Sequence, residues 1–271
     1  MTTATNAKWS WNDAPFSTKL DPRRFFAGVS QEESLSRMQF LVDNRRRVGV
    51  LTGTQGSGKS MLLEVAAQQF RQQNRLVVLS SVVGVDVDEF LWKIAAGLGA
   101  NPSITASARR LWRDIEDQIS SNRYLRISTV ILLDDVEEAE TEVLASISRL
   151  LQLDASDDSQ LTLIASCEEN RTHLLGQRLH DACDLRIELE PWTADEVENF
   201  VRASLAASAC GPDLFTPQAV ARLFELSEGM PRRVQQLAQL ALVAAAAQDL
   251  AEIGEDTVDA VSQELSVSGL S

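Results

Sequence analysis

The sequence predicts an α/β fold, in which a five-stranded parallel sheet with flanking helices is followed by a small all-helical domain. Short apolar runs that suit buried strands alternate with helical patterns from Val48 to Leu189. After Glu190 the strand-like runs stop and four helical segments follow. We therefore expect an arm over residues 1–30, an α/β domain over residues 31–190 and a four-helix domain over residues 191–266.

Each predicted element rests on its own local pattern. The strand predictions are short apolar runs, which begin at Val48 and recur at 76–79, 129–133, 161–165 and 185–189. The helix predictions are apolar stripes at helical spacing, over 31–47, from about Lys59, over 86–98, 106–122 and 171–181. The acid-rich segment 134–142 reads as the carboxylate-rich start of one more helix. In the C-terminal part, Thr193 and Glu196 form a capping-box pattern, and Thr216 is an N-cap candidate before Pro217.

One glycine-rich stretch organises the α/β part. The segment GTQGSGKS fits the Walker A pattern GxxxxGK[ST] at every fixed position, between a strand-like run and a helical run. Its glycines let backbone N–H groups approach phosphate oxygens, and the helix that follows directs its positive end at the same point. Lys59 is expected to reach the β- and γ-phosphates, and the Ser60 hydroxyl to bind Mg²⁺. The predicted nucleotide-binding residues are Gly53, Thr54, Gln55, Gly56, Ser57, Gly58, Lys59, Ser60 and Met61.

A second motif follows the buried run TVILL, which ends directly in Asp134 and Asp135. Carboxylates at the carboxyl edge of a parallel sheet lie where ligands bind in open α/β folds. In this Walker B reading, Asp134 holds Mg²⁺ together with Ser60, and Asp135 is the general base that orients the attacking water. Ser166 or Cys167 would lie beside the γ-phosphate if its strand neighbours the central one, and a simple strand end is the alternative.

Composition limits the remaining function classes. The net charge of −14 disfavours broad binding to nucleic-acid backbones, although arginines at 45–47 and at 109, 110 and 113 leave a local basic patch open. No apolar run approaches the ~20 residues of a membrane span. The three cysteines (Cys167, Cys183 and Cys210) lack metal-ligand spacing, which favours reduced thiols in a cytoplasmic protein. The two histidines, His173 and His180, have no third ligand nearby and are expected to lie on the surface.

Taken together, these motifs resemble the AAA+ ATPases. The segments APFSTKLDPRRFF, GTQGSGKS, TVILLDD and EGMPRRVQQLAQLAL are similar to the ATPase domain of the general secretion pathway protein A type, which is related to transposition ATPases. The resemblance covers residues 9–265 and implies ATP and Mg²⁺ as cofactors. One departure is Asp135, where those families usually carry Glu. A carboxylate about one bond further from the water implies slow hydrolysis, because ~1 Å of misplacement can cost ~100-fold in rate.

The resemblance also implies roles for residues outside the two motifs. Arg232 looks like the sensor-2 arginine of the helical lid, and Ser166 looks like the sensor-1 residue. Phe25 and Phe26 would lie near the adenine, although an N-terminal arm that docks without contacting ligand is the alternative.

A trans-acting arginine is the last role that the resemblance implies. Arg178 looks like the arginine finger offered to the neighbouring subunit, and Arg186 is its rival. The alternative for Arg178 is a surface salt bridge to Asp181 or Asp184.

The implied function is an ATPase that assembles into a homo-oligomeric ring or filament and binds ATP·Mg²⁺ at its subunit interfaces. Turnover, expected to be slow, would remodel or regulate a protein partner that the sequence does not identify. Two alternatives are a nucleotide-gated assembly protein on DNA, similar to the transposition regulators, and a nucleotide-dependent oligomerisation switch.

Overall fold

A computed structural model describes residues 15–268, apart from residues 18, 155, 157, 209, 210 and 212. Residues 1–14 of the predicted arm, and Cys210, therefore lie outside the described residues. The described part of the chain divides into two compact units, one of residues 21–190 and one that combines the described residues up to 20 with those from 191 onward.

The first unit is built on one parallel sheet with the strand order β2–β3–β4–β1–β5. Its strands are Val48–Gly53 (β1), Leu76–Ser81 (β2), Thr129–Asp134 (β3), Leu161–Glu168 (β4) and Leu185–Glu188 (β5). Because all the pairs are parallel, all the carboxyl ends meet at one edge. β4 lies between β1 and β3, so the ends of these three strands are neighbours. The predicted five-stranded α/β sheet is confirmed.

Helices cover both faces of this sheet, which explains why β1 and β3 are buried along their whole length. Met38, Leu62 and Phe70, from α1 and α2, belong to the core on one face, and residues of α3, α4 and α5 belong to the core on the other. These helices are Val29–Asp43 (α1), Lys59–Gln72 (α2), Val87–Gly97 (α3), Ala108–Tyr124 (α4) and Thr141–Leu153 (α5).

The helix predicted over 31–47 ends earlier than expected. α1 stops at Asp43, and Arg45 has a left-handed backbone with φ of 52°. The N–H of Arg46 then donates to the carbonyl of Leu41 at 2.8 Å, which closes the helix end. Arg45, Arg46 and Arg47 therefore follow the helix and do not form its last turn.

The helix predicted over 171–181 is interrupted at Gly176. A 3₁₀ helix over Glu169–Leu175 comes first, and the short helix α6 covers Gln177–Asp181. Gly176 between them has φ of 79°, a conformation that a helix interior excludes. Leu174 is 37% exposed, whereas Leu175 and Leu179 are buried.

The acid-rich segment 134–142 is likewise not one helix start. Asp134 ends β3, a 3₁₀ turn covers Val136–Glu138, and α5 begins only at Thr141. Most of these carboxylates therefore lie at the carboxyl edge of the sheet rather than in the first turn of a helix.

The second unit is helical, as predicted. Its helices are Ala194–Ala207 (α7), Pro217–Ser227 (α8), Pro231–Ala247 (α9) and Glu255–Ser268 (α10). The predicted capping box is confirmed, since the N–H of Glu196 donates to Thr193 Oγ1 at 3.3 Å and the N–H of Thr193 donates to Glu196 Oε2 at 2.7 Å. Thr216 caps α8 before Pro217, also as predicted.

Phe16 belongs to this second unit. It is 1% exposed, and its ring lies 5.8 Å from that of Phe215 and 5.9 Å from that of Phe200.

Among the helices of the described residues, we find none with the length and apolar character that a membrane crossing requires.

Candidate nucleotide-binding site

The phosphate-loop segment forms a tight backbone cradle between β1 and α2. Gly56 and Gly58 have φ of 85° and 101°, which a residue with a side chain rarely adopts. A Cβ on Gly53 would lie 2.7 Å from Ser57 Oγ and 3.0 Å from the carbonyl oxygen of Leu189. The glycines at these positions are therefore required by backbone conformation and by close approach.

The donors of this cradle are available to a ligand. The backbone N–H groups of Gly56, Gly58, Lys59 and Ser60 donate to no backbone carbonyl within the described residues. Ser57 Oγ is buried and has no described hydrogen-bond partner, so it lies in the cradle as an unsatisfied polar atom. Unpaired N–H groups at the N-terminus of a helix favour an anion.

Lys59 is held at the mouth of the loop. Its side chain is 7% exposed, and Nζ donates to the carbonyls of Gly53 at 2.9 Å and Thr54 at 3.2 Å. A buried ammonium group needs such partners, because an unpaired one would lose its hydration without compensation. Its positive charge is thus fixed next to the free N–H groups.

The carboxylate side of the site lies across β4. Asp134 is buried, and its Oδ1 accepts a 2.5 Å hydrogen bond from Ser166 Oγ on β4. The same Ser166 hydroxyl accepts the N–H of Asp135 at 2.9 Å. The Ser166 hydroxyl therefore contacts both predicted Walker B residues. The prediction for Ser166 required its strand to neighbour the central one, and β4 does lie beside β1.

Asp135 begins the 3₁₀ turn in a left-handed conformation, with φ of 55° and ψ of 48°. The pKa of the Asp135 carboxyl is raised to about 6, chiefly by burial and then by the neighbouring carboxylates of Asp134 and Glu137. The Lys59 charge opposes this rise. Negative charge is therefore concentrated beside a single buried lysine.

Comparison with known proteins shows what the part of the chain that carries this site is similar to. Residues 42–175 match the family model described as AAA domain, a range that includes both motifs and Ser166. This part of the chain is therefore similar to an AAA domain. The model covers β1 to β4 and the helices between them, which are the elements that hold the cradle and the carboxylates.

A relative and several solved structures agree with this similarity. The chain is 23% identical over 259 residues to General secretion pathway protein A of Aeromonas hydrophila. The match covers 94% of this chain but 47% of that protein, so the chain spans about half the length of this relative. The resemblance stated from the sequence motifs is thereby confirmed.

Among solved structures, the Aeropyrum pernix Orc1 protein in complex with DNA has a TM-score of 0.66 and 16% identity, covering 93% of this chain and 68% of that one. The Thermotoga maritima RuvB Holliday junction branch migration motor has a TM-score of 0.60 and 15% identity, covering 87% of this chain and 69% of the other. Cdc6p from Pyrobaculum aerophilum has a TM-score of 0.65 and 13% identity, covering 92% and 68% respectively. At such identities these likenesses show the AAA+ fold alone.

The region that is similar to an AAA domain also contains a notable residue that no sequence motif selects. Glu137 is 8% exposed, and its Oε1 accepts the N–H of Glu168 at 2.7 Å, while Oε2 is buried without a described hydrogen-bond partner. Glu168 lies opposite Gly53 in the β1–β4 register, so this contact lies next to the first residue of the phosphate loop. The signal in the sequence is an acid three residues after Asp134, which the pattern alone assigns to a helix start.

The thiol beside this carboxylate is protected. Cys167 is fully buried, and its Sγ donates to the carbonyl of Glu168 at 3.2 Å. Burial, followed by the Glu137 carboxylate, raises the pKa of the Cys167 thiol to about 12. Cys167 is thus a packed strand residue rather than a nucleophile.

The predicted trans-acting arginines are both exposed. Arg178, in α6, makes no ion pair with any described residue. Its alternative partners are used elsewhere, because Asp181 accepts from Gln177 and Asp184 accepts the backbone N–H groups of Arg47 and Val48. Nη2 of the rival arginine, Arg186, lies 3.3 Å from Nε2 of His180.

The remaining predicted residues lie outside the two motifs. Arg232 is exposed at the start of α9, in the second compact unit. Phe25 packs against the core of α1 and α2, and Phe26 is half-buried.

The last predicted residues concern metal binding. His173 and His180 are both exposed, as expected for surface histidines. Within the described residues, no group of three or more His, Cys, Asp or Glu side chains is arranged to hold a metal ion. Mg²⁺ is different, because it is bound through one or two protein oxygens together with substrate phosphates and water. Ser60, at the start of α2, and Asp134 fit that role.

Proposed function

We propose that the AAA domain binds ATP with Mg²⁺ at the Walker A loop and hydrolyses it slowly at the interface between subunits. The observation that carries this proposal is the meeting of a phosphate cradle, a fixed lysine and a serine-bound carboxylate at the ends of β1, β4 and β3. Each supplies a part that phosphoryl transfer requires.

In the proposed complex, the N–H groups of Gly56, Gly58 and Lys59 bind phosphate oxygens, and Lys59 exchanges its loop carbonyls for the β- and γ-phosphates. Ser60 and Asp134 hold the metal, which when bound offsets negative charge on the phosphate oxygens. Asp135 positions the attacking water and accepts its proton. Its short side chain is the reason that we propose slow turnover.

We further propose that turnover remodels or regulates a protein partner. Arg178, exposed and without a described ion partner, would complete the site of a neighbouring subunit, and Arg232 would act as the lid arginine. The likeness to a secretion-pathway protein supports a partner-directed role, but the chain spans only 47% of that relative. The partner itself is left open.

A second candidate is nucleotide-gated assembly on DNA. Arg109 and Arg113 of α4 are exposed and make no described ion pair, whereas Arg110 pairs with Asp114. Trp112 is buried, with Arg149 4.1 Å over its ring, so it would not stack on a base. The Orc1 neighbour is in complex with DNA, which makes the candidate worth testing.

The DNA candidate is tested by duplex binding with and without ATP at several salt concentrations. It requires an ATP-dependent complex whose affinity falls steeply with salt and weakens in Arg109→Ala/Arg113→Ala. An absence of ATP-dependent duplex binding even at low salt would rule out the DNA candidate.

The nucleotide proposal is tested by calorimetric titration of ATP with Mg²⁺ and with EDTA. Lys59→Ala should weaken binding by about tenfold or more, because a charge-assisted phosphate contact is lost. Arg202→Ala, which removes an exposed cation of α7, is the matched control and should bind as the wild type does. Equal affinities for wild type and Lys59→Ala would overturn the phosphate-loop assignment.

A further inference from the structure

The sheet has one open edge that forms a groove. β2 is an edge strand, and a groove of about 440 Å³ lies along residues 77–81. Arg71 of α2 forms one wall, and Trp92 and Lys93 of α3 form the other. Since α2 and α3 pack on opposite faces of the sheet, the floor of this β2-edge groove is the edge of the strand itself.

The backbone of β2 presents unpaired groups to this groove. The N–H of Leu76 donates to Ser128 at 3.0 Å and that of Val82 to Asp134 at 3.2 Å, so even-numbered residues direct their backbone groups toward β3. Strand geometry alternates, and the N–H and C=O groups of Val77 and Leu79 therefore point into the groove. These groups form no other backbone hydrogen bond within the described residues.

The edge lacks the usual protection against pairing. Native edge strands are commonly blocked by lysine, proline or a bulge. The β2 sequence, LVVLSS, contains neither lysine nor proline. The α3 wall carries Ala96 and Gly97, and a Cβ on Gly97 would lie 2.7 Å from Val78 Cγ1. The helix therefore approaches the strand closely without placing a long side chain over its edge at that point.

The charge of the groove contrasts with that of the chain. The net charge is −14, yet among the described residues none that lines the groove is acidic, and the charged ones are Arg71 and Lys93. Arg71 makes no ion pair with a described residue, and Lys93 contacts Glu89 one turn away on α3 at 2.6 Å. Trp92, 36% exposed, adds a partly apolar surface beside the two cations.

We propose that the β2-edge groove binds an extended acidic segment of a partner protein as an added strand. Main-chain hydrogen bonds to Val77 and Leu79 would supply affinity, as in other strand-addition complexes. Carboxylates of the segment would contact Arg71 and Lys93, and an apolar residue between them would cover Trp92. This inference goes beyond the proposed ATPase and does not depend on nucleotide binding.

The probe is a phage-displayed library of random twelve-residue peptides, panned against the full chain. Enriched peptides should combine alternating β-branched or aromatic residues with Asp or Glu near their ends. Synthetic copies are then measured by fluorescence anisotropy. Arg71→Glu/Lys93→Glu should weaken their binding by about tenfold or more, because like charges then face each other. The control Arg37→Glu, which changes an exposed cation of α1, should leave the affinity unchanged.

Two further measurements separate strand addition from other binding. N-methylation of alternate peptide residues should abolish binding in one register and leave it intact in the other, because only every second N–H faces β2. The amides of Val77 and Leu79 should exchange more slowly with solvent in the complex. The Lys59→Ala variant should bind the same peptides, which keeps this test independent of the ATPase proposal.

The proposal is overturned if no such peptides are enriched, if the charge reversal has no effect, or if both N-methylated series bind. It is also overturned if light scattering shows a dimer that Leu79→Lys dissociates, since a second copy of the chain would then occupy the edge.

Discussion

At the scale of single residues, Asp135 combines a left-handed backbone with a raised carboxyl pKa. The N–H of this residue is held by Ser166 and its carbonyl accepts the N–H of Glu138 at 2.9 Å, so the turn fixes the direction of the side chain. Aspartate tolerates this conformation better than most residues, at a cost of about 1 kcal/mol. The reach of the carboxylate is therefore set by side-chain length alone.

We predict that Asp135→Glu increases the turnover of the proposed ATPase by about tenfold or more, because it extends the carboxylate toward the water by one bond. Asp135→Ala should retain ATP affinity and lower turnover. Steady-state phosphate release and nucleotide titration check both variants. A decrease in the rate for Asp135→Glu, with an unchanged circular dichroism spectrum, would contradict this explanation.

Ser166 supports the second residue-scale prediction. Ser166→Ala removes the 2.5 Å hydrogen bond to Asp134 and the acceptor of the Asp135 N–H. Losing a hydrogen bond to a charged group costs about 1.5–3 kcal/mol, so activity at limiting Mg²⁺ should fall by roughly 10- to 100-fold. ATP affinity measured in EDTA should change little, since the phosphate cradle is untouched.

The matched control is Ser146→Ala, another buried serine, whose hydroxyl bonds only to the carbonyl of Glu142 within α5. Ser166→Thr keeps the hydroxyl and should recover part of the activity. If Ser166→Ala and Ser146→Ala had the same Mg²⁺ dependence, the positioning role of Ser166 would be wrong.

At the scale of elements, the turn between α8 and α9 depends on one glycine. Gly229 has φ of 71°, and a Cβ there would lie 1.9 Å from the carbonyl oxygen of Trp192. The N–H of Trp192 also donates to the carbonyl of Gly229 at 2.9 Å, which fixes the two backbones together. Gly229→Ala should therefore lower the free energy of unfolding by about 3 kcal/mol or more, since backbone must move.

Gly84→Ala is the control for this prediction. Gly84 also has a positive φ, of 64°, but nothing lies within 4 Å of the position that an added methyl group would take. Gly84→Ala should lower the free energy of unfolding only by the conformational strain, about 1 kcal/mol. Urea denaturation followed by circular dichroism compares the two, and equal costs would show that the contact with Trp192 does not matter.

The elements also show which features were predictable. Strands β1 and β3 are buried on both faces, so their continuous apolar runs were sufficient to identify them. The capping box at Thr193 is a local pattern and was equally readable. By contrast, the break at Gly176 was missed, because Leu175 and Leu179 keep helical spacing across it.

The sequence motifs select candidate site residues but do not predict the contacts between them. The Walker motifs select Lys59 and Asp134 from sequence alone. The strand order is non-local, however, and only this order brings Ser166 between them. Glu137 accepts a hydrogen bond from Glu168 between the turn after β3 and the end of β4, and the position of Glu137 three residues after Asp134 does not by itself predict this contact.

At the scale of the whole molecule, the distribution of charge means that assembly requires specific contacts. A net charge of −14 makes subunits repel each other in general, while an unpaired arginine on one subunit would be attracted to the carboxylate-rich site of another. Head-to-tail contacts of this kind close into rings or continue as filaments.

The last prediction tests this assembly. Arg178→Ala and Lys59→Ala should each be inactive, the first because an arginine supplied in trans can contribute ~10³–10⁵ in rate, the second because the cradle loses its cation. Mixed together, the two proteins should regain part of the activity, since some interfaces join an intact loop to an intact arginine. Arg186→Ala with Lys59→Ala is the parallel mixture, and recovery in that mixture alone would assign the role to Arg186. A monomer by light scattering at saturating ATP·Mg²⁺, together with no recovery in either mixture, would show that the site is not shared between subunits.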